Sequence, residues 1–141
     1  MKIRKYLLAI LLIAGFWGCS MNSGGQAQDL IDWTNNLDAA KATALSENKP
    51  VLIDFYAEWC GWCKRMDADT YSDKKVAELA KSFVCVKINS DENAKLANTY
   101  QVRGLPTTVF LKPDGSVISV MPGYQPPDQF LGSMNRALES R

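Results

Sequence analysis

Residues 51–64, with the sequence V-L-I-D-F-Y-A-E-W-C-G-W-C-K, constrain the fold more than any other part of the chain. The first six of them are mostly β-branched or aromatic, which predicts a strand buried on both faces. Cys60 and Cys63 follow this strand. A helix that begins at Cys60 places unpaired N–H groups and a positive dipole against the sulfur, which favours a thiolate. The stretch therefore predicts a redox site where Cys60 attacks, provided that solvent reaches its sulfur, and Cys63 resolves.

The composition suits one compact domain: 141 residues, of which 47% are hydrophobic and 22% charged. The formal net charge is +1, but three of the 16 basic residues (Lys2, Arg4 and Lys5) belong to an N-terminal segment that we expect to be removed. The mature charge is then about −2. A net charge of this sign gives nucleic-acid binding no electrostatic support, so we expect no nucleic-acid partner.

The first 19 residues have the layout of a secretory signal, with a basic start, an apolar run over residues 6–17, and then Gly18 and Cys19. The run is shorter than the ~20 residues that span a bilayer as a helix. Gly18-Cys19 resembles the lipobox of bacterial lipoproteins. We therefore predict a signal peptide at residues 1–18, acylation of Cys19, a flexible tether at residues 19–29 and a folded domain at residues 30–141. An uncleaved short anchor and ordinary signal cleavage are the alternatives.

This N-terminus predicts export to the periplasmic side of a bacterial cell envelope, with a lipid anchor in the membrane. Disulfides persist in such a compartment.

Hydrophobic periodicity predicts the remaining elements. The predicted strands are residues 51–56, 83–89, 107–112 and 116–121. The predicted helices are residues 33–48, one from the cysteines to about residue 69, one beginning at residue 72 or 73, residues 91–100, and a last one after Pro127. This order predicts an α/β fold in which a mixed central sheet of about four strands carries helices on both faces.

Several separated motifs resemble thioredoxin in order and spacing: D-F-Y-A-E-W-C-G-W-C-K, K-I-N-S-D, V-R-G-L-P-T-T and G-Y. Within that superfamily the chain is similar to exported thioredoxin-like proteins with a W-C-x-W-C-K-x-M pattern, including the C-terminal domain of the membrane thiol electron transporter. The resemblance implies a thioredoxin fold and a monomeric thiol–disulfide oxidoreductase without a cofactor. It also implies a protein thiol donor and protein disulfide substrates. Trp62 and Ala68 stand where ordinary thioredoxin has prolines.

Asp54 is the one ionisable residue in the first strand. An unpaired carboxylate there is expensive, so its pKa should be raised or it should find a partner. The resemblance implies that Asp54 is the buried acid that accepts the proton of Cys63, and that Lys87 is the lysine facing this acid. The alternative is a hydrated acid at a strand edge.

The resemblance also implies that Pro106 is a cis-proline opposite the cysteines, with the backbone of Leu105 offered to an extended substrate strand. An ordinary trans turn proline is the alternative. By the same analogy an apolar rim for substrate surrounds Cys60, although Trp59 could instead pack into the core. The rim and its neighbours are Trp59, Gly61, Trp62, Gly104, Leu105, Pro106, Gly123 and Tyr124.

Other uses of the cysteines fit less well. Zinc usually takes four Cys or His ligands, and the chain has no His and only Cys19 and Cys85 besides the pair, so no metal site is expected. A static structural disulfide across two residues closes too small a loop to stabilise much. Cys85 lies in an apolar strand and is expected to be inert. An oxidase or isomerase of the same fold, and a tethered adaptor or metallochaperone without turnover, are the alternative functions.

Overall fold

The computed structural model describes residues 30–141. The predicted signal peptide, the predicted acylation site at Cys19 and the predicted tether at residues 19–29 lie outside the described residues. In chain order the elements are β1 (Trp33–Thr34), α1 (Leu37–Glu47), β2 (Val51–Tyr56), α2 (Gly61–Met66), a π-helical segment (Asp67–Tyr71), α3 (Lys74–Ala80), β3 (Val84–Asn89), α4 (Ala94–Thr99), β4 (Thr107–Leu111), β5 (Val117–Pro122) and α5 (Pro127–Glu139).

The strands form one mixed sheet in the order β1-β3-β2-β4-β5. Strands β1, β3 and β2 run parallel, whereas β4 is antiparallel to β2, and β5 is antiparallel to β4. Strand β2 is central, with its first five residues buried. The loop that carries the two cysteines therefore leaves the sheet from its middle strand.

Helices cover both faces of the sheet, as the sequence predicted. One face packs against α1 and α4, through Leu37, Ala40, Ala44, Ala97 and Tyr100. The other packs against α2, the π-helical segment, α3 and α5, and its largest fully buried side chains include Tyr71, Phe110 and Phe130. Burial of two apolar layers on a single sheet is the main driving force for this arrangement.

Short polar signals fix the helix ends. The side chain of Asn36 accepts a hydrogen bond from the Ala39 N–H at the start of α1, and Asn48 ends that helix in the left-handed conformation. Asp73 caps α3 by accepting from two backbone N–H groups. Pro127 occupies the first turn of α5, where its missing N–H has no helical partner to lose.

Two predictions need correction. Trp33 was expected to open a helix, but Trp33 and Thr34 form a short strand beside Cys85 and Val86, so the described sheet has five strands rather than four. The helix after the cysteines was expected to stay α-helical to about residue 69, but it widens into the π-helical segment. Ala68, where thioredoxin has its kinking proline, lies inside that segment, so a π-turn replaces a proline as the local irregularity.

Among residues 30–141, no helix is both long and apolar enough to span a bilayer.

Candidate active site

Cys60 and Cys63 are joined by a disulfide, and their Cα atoms lie 5.3 Å apart. Cys60 is the N-cap of α2, and its sulfur accepts a hydrogen bond from the Cys63 N–H at 3.1 Å. Strand β2 thus delivers the first cysteine to a helix start, as predicted. The helix N-terminus is a place where a negatively charged sulfur is favoured once the disulfide opens.

The disulfide is less open to solvent than the sequence suggested. Cys60 is only 4% exposed and Cys63 only 3% exposed, and both pack with Ala57 in a small cluster that Tyr56 and Leu105 partly cover. The solvent access on which the predicted attack by Cys60 depends is therefore slight in the oxidised protein. An incoming thiolate must reach a sulfur that its neighbours largely cover.

Two exposed tryptophans flank the shielded disulfide. Trp59 is 71% exposed and its indole N–H donates to Asp91 at 2.8 Å, while Trp62 is 58% exposed. The alternative that Trp59 packs into the core is therefore wrong. Gly61 between them is exposed, and a Cβ added there would meet nothing within 4 Å.

Trp62 belongs to a group of side chains that contact one another. Its ring lies 5.7 Å from that of Tyr124, and the Arg65 guanidinium lies 5.9 Å from the Trp62 ring and 5.6 Å from the Tyr124 ring. Asp69 accepts from both the Arg65 guanidinium and the Tyr124 hydroxyl, each at 3.1 Å. We call these four residues the aromatic clasp. The contacts hold Trp62 against the domain while leaving it exposed.

The loop before β4 also packs against the disulfide. The Leu105–Pro106 peptide bond is cis, which confirms the predicted conformation and excludes the trans alternative. Leu105 packs against the cysteine cluster, and the Pro106 carbonyl accepts from the Gly123 N–H at 2.8 Å. Gly123 adopts φ +91°, a conformation that favours glycine. The predicted rim residues are thus brought around the disulfide, with Gly104 exposed and Gly123 half-buried.

Asp54 is buried, at 2% exposure, in the central strand beneath the helical layer. The alternative of a hydrated acid at a strand edge is wrong. Burial raises the pKa of Asp54 from 3.8 to about 7; the Lys87 charge opposes this rise, the Asp67 charge adds to it, and the Tyr71 hydroxyl opposes it. A carboxyl group with this pKa can both take and release a proton near neutral pH.

Lys87 stands opposite Asp54 in the β2–β3 register, but its ammonium pairs with Asp67 at 2.5 Å. Lys87 therefore faces Asp54 in the strand register, as expected, and its charge acts on the pKa of Asp54. Its ion pair, however, is with Asp67. Three aromatic rings surround the ammonium at 5.3–5.6 Å, those of Trp33, Tyr56 and Tyr71. These rings and Asp67 fix the cation beside the buried acid.

An opening of about 260 Å³ reaches Cys63 from the surface. Its lining includes Cys63, Asp67 and Lys87. The resolving sulfur and the Lys87–Asp67 pair therefore share one solvent-accessible wall, and Asp54 lies next to Lys87 on the adjoining strand.

The sequence analysis did not identify three residues that lie near Asp54: Asp67, Tyr71 and Thr108. Asp67 follows Cys63 by four residues, a spacing that places two helical side chains on one face, so helical spacing could have revealed it. Thr108 is a polar residue in a wholly buried strand, and it pairs in register with Asp54. Tyr71 gave no such signal, because its direction depends on the π-helical segment.

The remaining cysteine of the described region, Cys85, is buried in β3, and its thiol lies 3.6 Å from the Ala80 carbonyl. Burial, with a smaller contribution from Asp32, raises its pKa to about 12. Within residues 30–141, no three Cys, Asp or Glu side chains come together in a metal-binding group.

Comparison with known proteins identifies the family to which a chain with this site is similar. Residues 37–138 match the family described as thioredoxin-like domain. The chain is also 35% identical to the thiol:disulfide interchange protein DsbD of Yersinia pestis over 138 residues, which cover 89% of this chain but only 23% of that protein. The chain thus spans about a quarter of the length of this relative.

Two solved structures have similar folds. The C-terminal domain of DsbD from Neisseria meningitidis, in its oxidised form, is 30% identical and has a TM-score of 0.66; the match covers 75% of this chain and 99% of that one. A thioredoxin from Thermus thermophilus is 29% identical and has a TM-score of 0.69, with coverage of 77% and 87% respectively. The mixed sheet with helices on both faces is the architecture that these structures share.

Proposed function

Because this chain belongs to the thioredoxin-like family and is a thiol–disulfide oxidoreductase of that type, we propose that it reduces disulfide bonds of other proteins in the bacterial cell envelope. The observation that carries the proposal is the Cys60–Cys63 disulfide at the start of α2, which lies between exposed tryptophans and the cis-Pro106 loop. No metal or cofactor takes part in the proposed cycle.

The cycle begins with a reduced pair. The Cys60 thiolate attacks one sulfur of a substrate disulfide, forms a mixed disulfide and releases the other substrate sulfur as a thiolate. Cys63 then loses its proton and attacks the Cys60 sulfur. The Cys60–Cys63 bond forms, the mixed disulfide breaks, and the substrate leaves with two more electrons than it brought. A protein thiol donor restores the pair by the reverse exchange.

Asp54 is the proposed acceptor of the Cys63 proton. Its pKa of about 7 leaves a useful fraction of carboxylate at neutral pH. It stands in register with Lys87, which lines the opening at Cys63 together with Asp67. Lys87 assists by stabilising the carboxylate, and Asp67 acts in the opposite sense. Because Lys87 lowers the pKa of Asp54 and Asp67 raises it, the two neighbours together can hold this pKa near the working pH.

The proposed substrate surface is formed by Trp59, Gly61, Trp62, Leu105, Pro106 and Gly123. The exposed tryptophans offer apolar area beside the shielded disulfide, which suits a protein partner rather than a small thiol. The backbone of Leu105 is the proposed pairing edge for an extended segment of the substrate.

The proposed location is the periplasmic side of the envelope, where a lipid on Cys19 tethers a monomeric domain through residues 19–29. The basic and apolar N-terminus supports this part of the proposal. Metabolic labelling with a palmitate analogue tests it: wild-type protein should carry the label, and Cys19→Ser should not. Labelling of Cys19→Ser, or none in the wild type, contradicts the anchor.

The experiment that tests the chemistry is trapping with an oxidised protein such as insulin. Cys63→Ser should accumulate a mixed disulfide through Cys60, visible on a non-reducing gel, whereas Cys60→Ser should lose all exchange. Cys85→Ala is the matched control and should turn over as the native protein does. Turnover by Cys60→Ser, or a Cys63→Ser protein that traps nothing while its Cys60 still alkylates, would contradict the proposed roles.

The direction of electron flow is tested by equilibrating the pair with dithiothreitol. A potential near that of reducing thioredoxins, about −270 mV, supports a reductase. A value near the −120 mV or so of a strong disulfide oxidant would replace the proposal with an oxidase of the same fold.

A further inference from the structure

A strip of polar side chains crosses the sheet beneath the helical layer. Lys87, Asp54 and Thr108 stand side by side in register on β3, β2 and β4. Residues that face each other on neighbouring strands point to the same side of a sheet, so the three share the face that the π-helical segment covers. Tyr71, the last residue of that segment, belongs to the core cluster on this face.

Three oxygens in this strip are buried without a hydrogen-bond partner in the described part of the protein: Asp54 Oδ1, the Tyr71 hydroxyl and Thr108 Oγ1. A buried polar group left unpaired costs about 1–3 kcal/mol, and the great majority of such groups find partners. Three of them together in a core of this size require an explanation.

The electrostatics give these neighbours different roles. Lys87 and the Tyr71 hydroxyl lower the pKa of Asp54, whereas Asp67 raises it, and these are the charged and titratable groups that act on Asp54 from β3 and the π-helical segment. Burial and the nearby Asp54 charge hold the pKa of Tyr71 well above its usual value of 10. The Tyr71 hydroxyl therefore keeps its proton at neutral pH and is available as a donor. Thr108 opposes this rise and lowers the pKa of the Tyr71 hydroxyl.

We propose that Tyr71 is a positioning residue for Asp54: its hydroxyl donates a hydrogen bond to the carboxylate that is ready to receive the Cys63 proton, and Thr108 orients that hydroxyl. This inference rests on the proposed function of Asp54. The proton passes from the Cys63 sulfur to Asp54, the Cys63 sulfur bonds to Cys60, and the substrate sulfur leaves. Tyr71 keeps its own proton throughout and loses a strong acceptor when Asp54 becomes neutral. Tyr71 thereby sets the pH at which Asp54 can act.

The test uses the full chain with Cys19→Ser and Cys85→Ala, so that only the active pair reacts with 5,5′-dithiobis(2-nitrobenzoate). Cys60 releases the first thionitrobenzoate, and the attack of Cys63 releases the second. Tyr71→Phe should slow the second release about tenfold near pH 6.5 and match the parent near pH 9, since Asp54 is ionised in both proteins there. Carbon NMR should find the pKa of Asp54 raised by about one in Tyr71→Phe.

Matched variants separate this effect from a structural one. Tyr100→Phe removes the hydroxyl of another buried tyrosine, which packs on the opposite face of the sheet, and should leave the profile unchanged. Thr108→Val should shift the profile in the same direction as Tyr71→Phe, by a smaller amount, and provides a second test if Tyr71→Phe folds poorly. In an Asp54→Asn background, Tyr71→Phe should have no effect on the pH profile.

The outcomes distinguish the inference from the function on which it rests. A folded Tyr71→Phe with the Asp54 pKa and profile of the parent overturns the inference, as does an equal shift in the Asp54→Asn background. If Asp54→Asn itself leaves the second release unchanged at every pH, the proposed role of Asp54 fails, and the role of Tyr71 fails with it. Absence of any second release from the parent protein contradicts the dithiol cycle itself.

Discussion

Lys87 and Asp54 stand opposite each other on parallel strands, yet the Lys87 ammonium bonds to Asp67 of the π-helical segment. The charge of Lys87 nevertheless lowers the pKa of Asp54, while that of Asp67 raises it. Two carboxyl groups thus share one fixed cation. The pKa of Asp54 therefore depends on how strongly the Lys87 ammonium interacts with each of the two carboxyl groups.

Substitutions at the two neighbours should therefore move the pKa of Asp54 in opposite directions. Lys87→Met removes the cation and should raise it, whereas Asp67→Asn removes a negative charge, frees Lys87 for Asp54 and should lower it. Titration of the Asp54 carboxyl carbon by NMR measures both. A shift of the same sign in the two variants would contradict the shared-cation arrangement.

Asp54→Asn should make the stability of the oxidised protein less dependent on pH. Asp54 ionises near 3.8 in the unfolded chain and near 7 in the folded protein, so the folded state binds more protons between these values. The contribution of Asp54 to stability is therefore fully present below about pH 4 and is lost as the pH rises to about 7. In urea unfolding, the free energy of unfolding of Asp54→Asn should rise relative to that of the native protein as the pH increases over this range, by up to about 4 kcal/mol. A gap between the two proteins that stays constant with pH would contradict the raised pKa.

Trp62→Ala should weaken docking of protein substrates without changing the chemistry of the pair. The ring is exposed and held by the aromatic clasp, so its loss removes contact area rather than core packing. We expect KM for a protein disulfide to rise about fivefold, which corresponds to about 1 kcal/mol, with an unchanged rate toward a small aromatic disulfide. Equal losses with both substrates would place Trp62 in the chemical step instead. Val117→Ala, an exposed change on the edge strand β5, is the control.

Gly123→Ala should destabilise the domain by about 1–2 kcal/mol. A Cβ there would meet nothing within 4 Å, so the expected loss comes from the positive φ alone. Gly61→Ala adds the same methyl group at an unstrained, open position and serves as the control. Thermal or urea unfolding of both variants checks the prediction. Equal stability of the two would indicate that the Gly123 conformation is not required.

Cys85 should resist alkylation in the folded, reduced protein. Its pKa of about 12 leaves on the order of one thiolate in ten thousand at pH 8, and the side chain is buried. Iodoacetamide followed by peptide mass spectrometry should label Cys60 in native buffer and Cys85 only in urea. Rapid native labelling of Cys85 would mean that β3 opens readily.

Local patterns in the sequence predicted the parts of the site that local chemistry determines. The buried strand before Cys60 and the acid within it each carry their own signal, and the structure has them where expected. The cis conformation of Pro106 was implied by the resemblance to thioredoxin and is also present. The strand at Trp33–Thr34 could not be predicted in this way. Two residues show no alternation, and their strand hydrogen bonds depend on Cys85 and Val86, some fifty residues away.

The partner of Lys87 was also beyond the sequence. A helical period of 3.6 residues predicts an α-helix, and it does not reveal where a helix widens into a π-turn. That turn delivers Asp67 to Lys87 and Tyr71 to the core above Asp54. Likewise, the shielding of Cys60 arises when the distant Leu105 folds against it, which no property of residues 51–64 could indicate.

The Cys60–Cys63 disulfide is the oxidised, electron-accepting form of the pair, and the cover over both residues limits the access of any incoming thiolate to it. On the proposed function, a small thiol has only brief collisions in which to reach this covered bond. A protein partner that docks on Trp59 and Trp62 would hold its sulfur close to the bond for longer. The proposed selection of partners is therefore kinetic, because it depends on how long a partner stays bound beside the disulfide and not on redox potential alone.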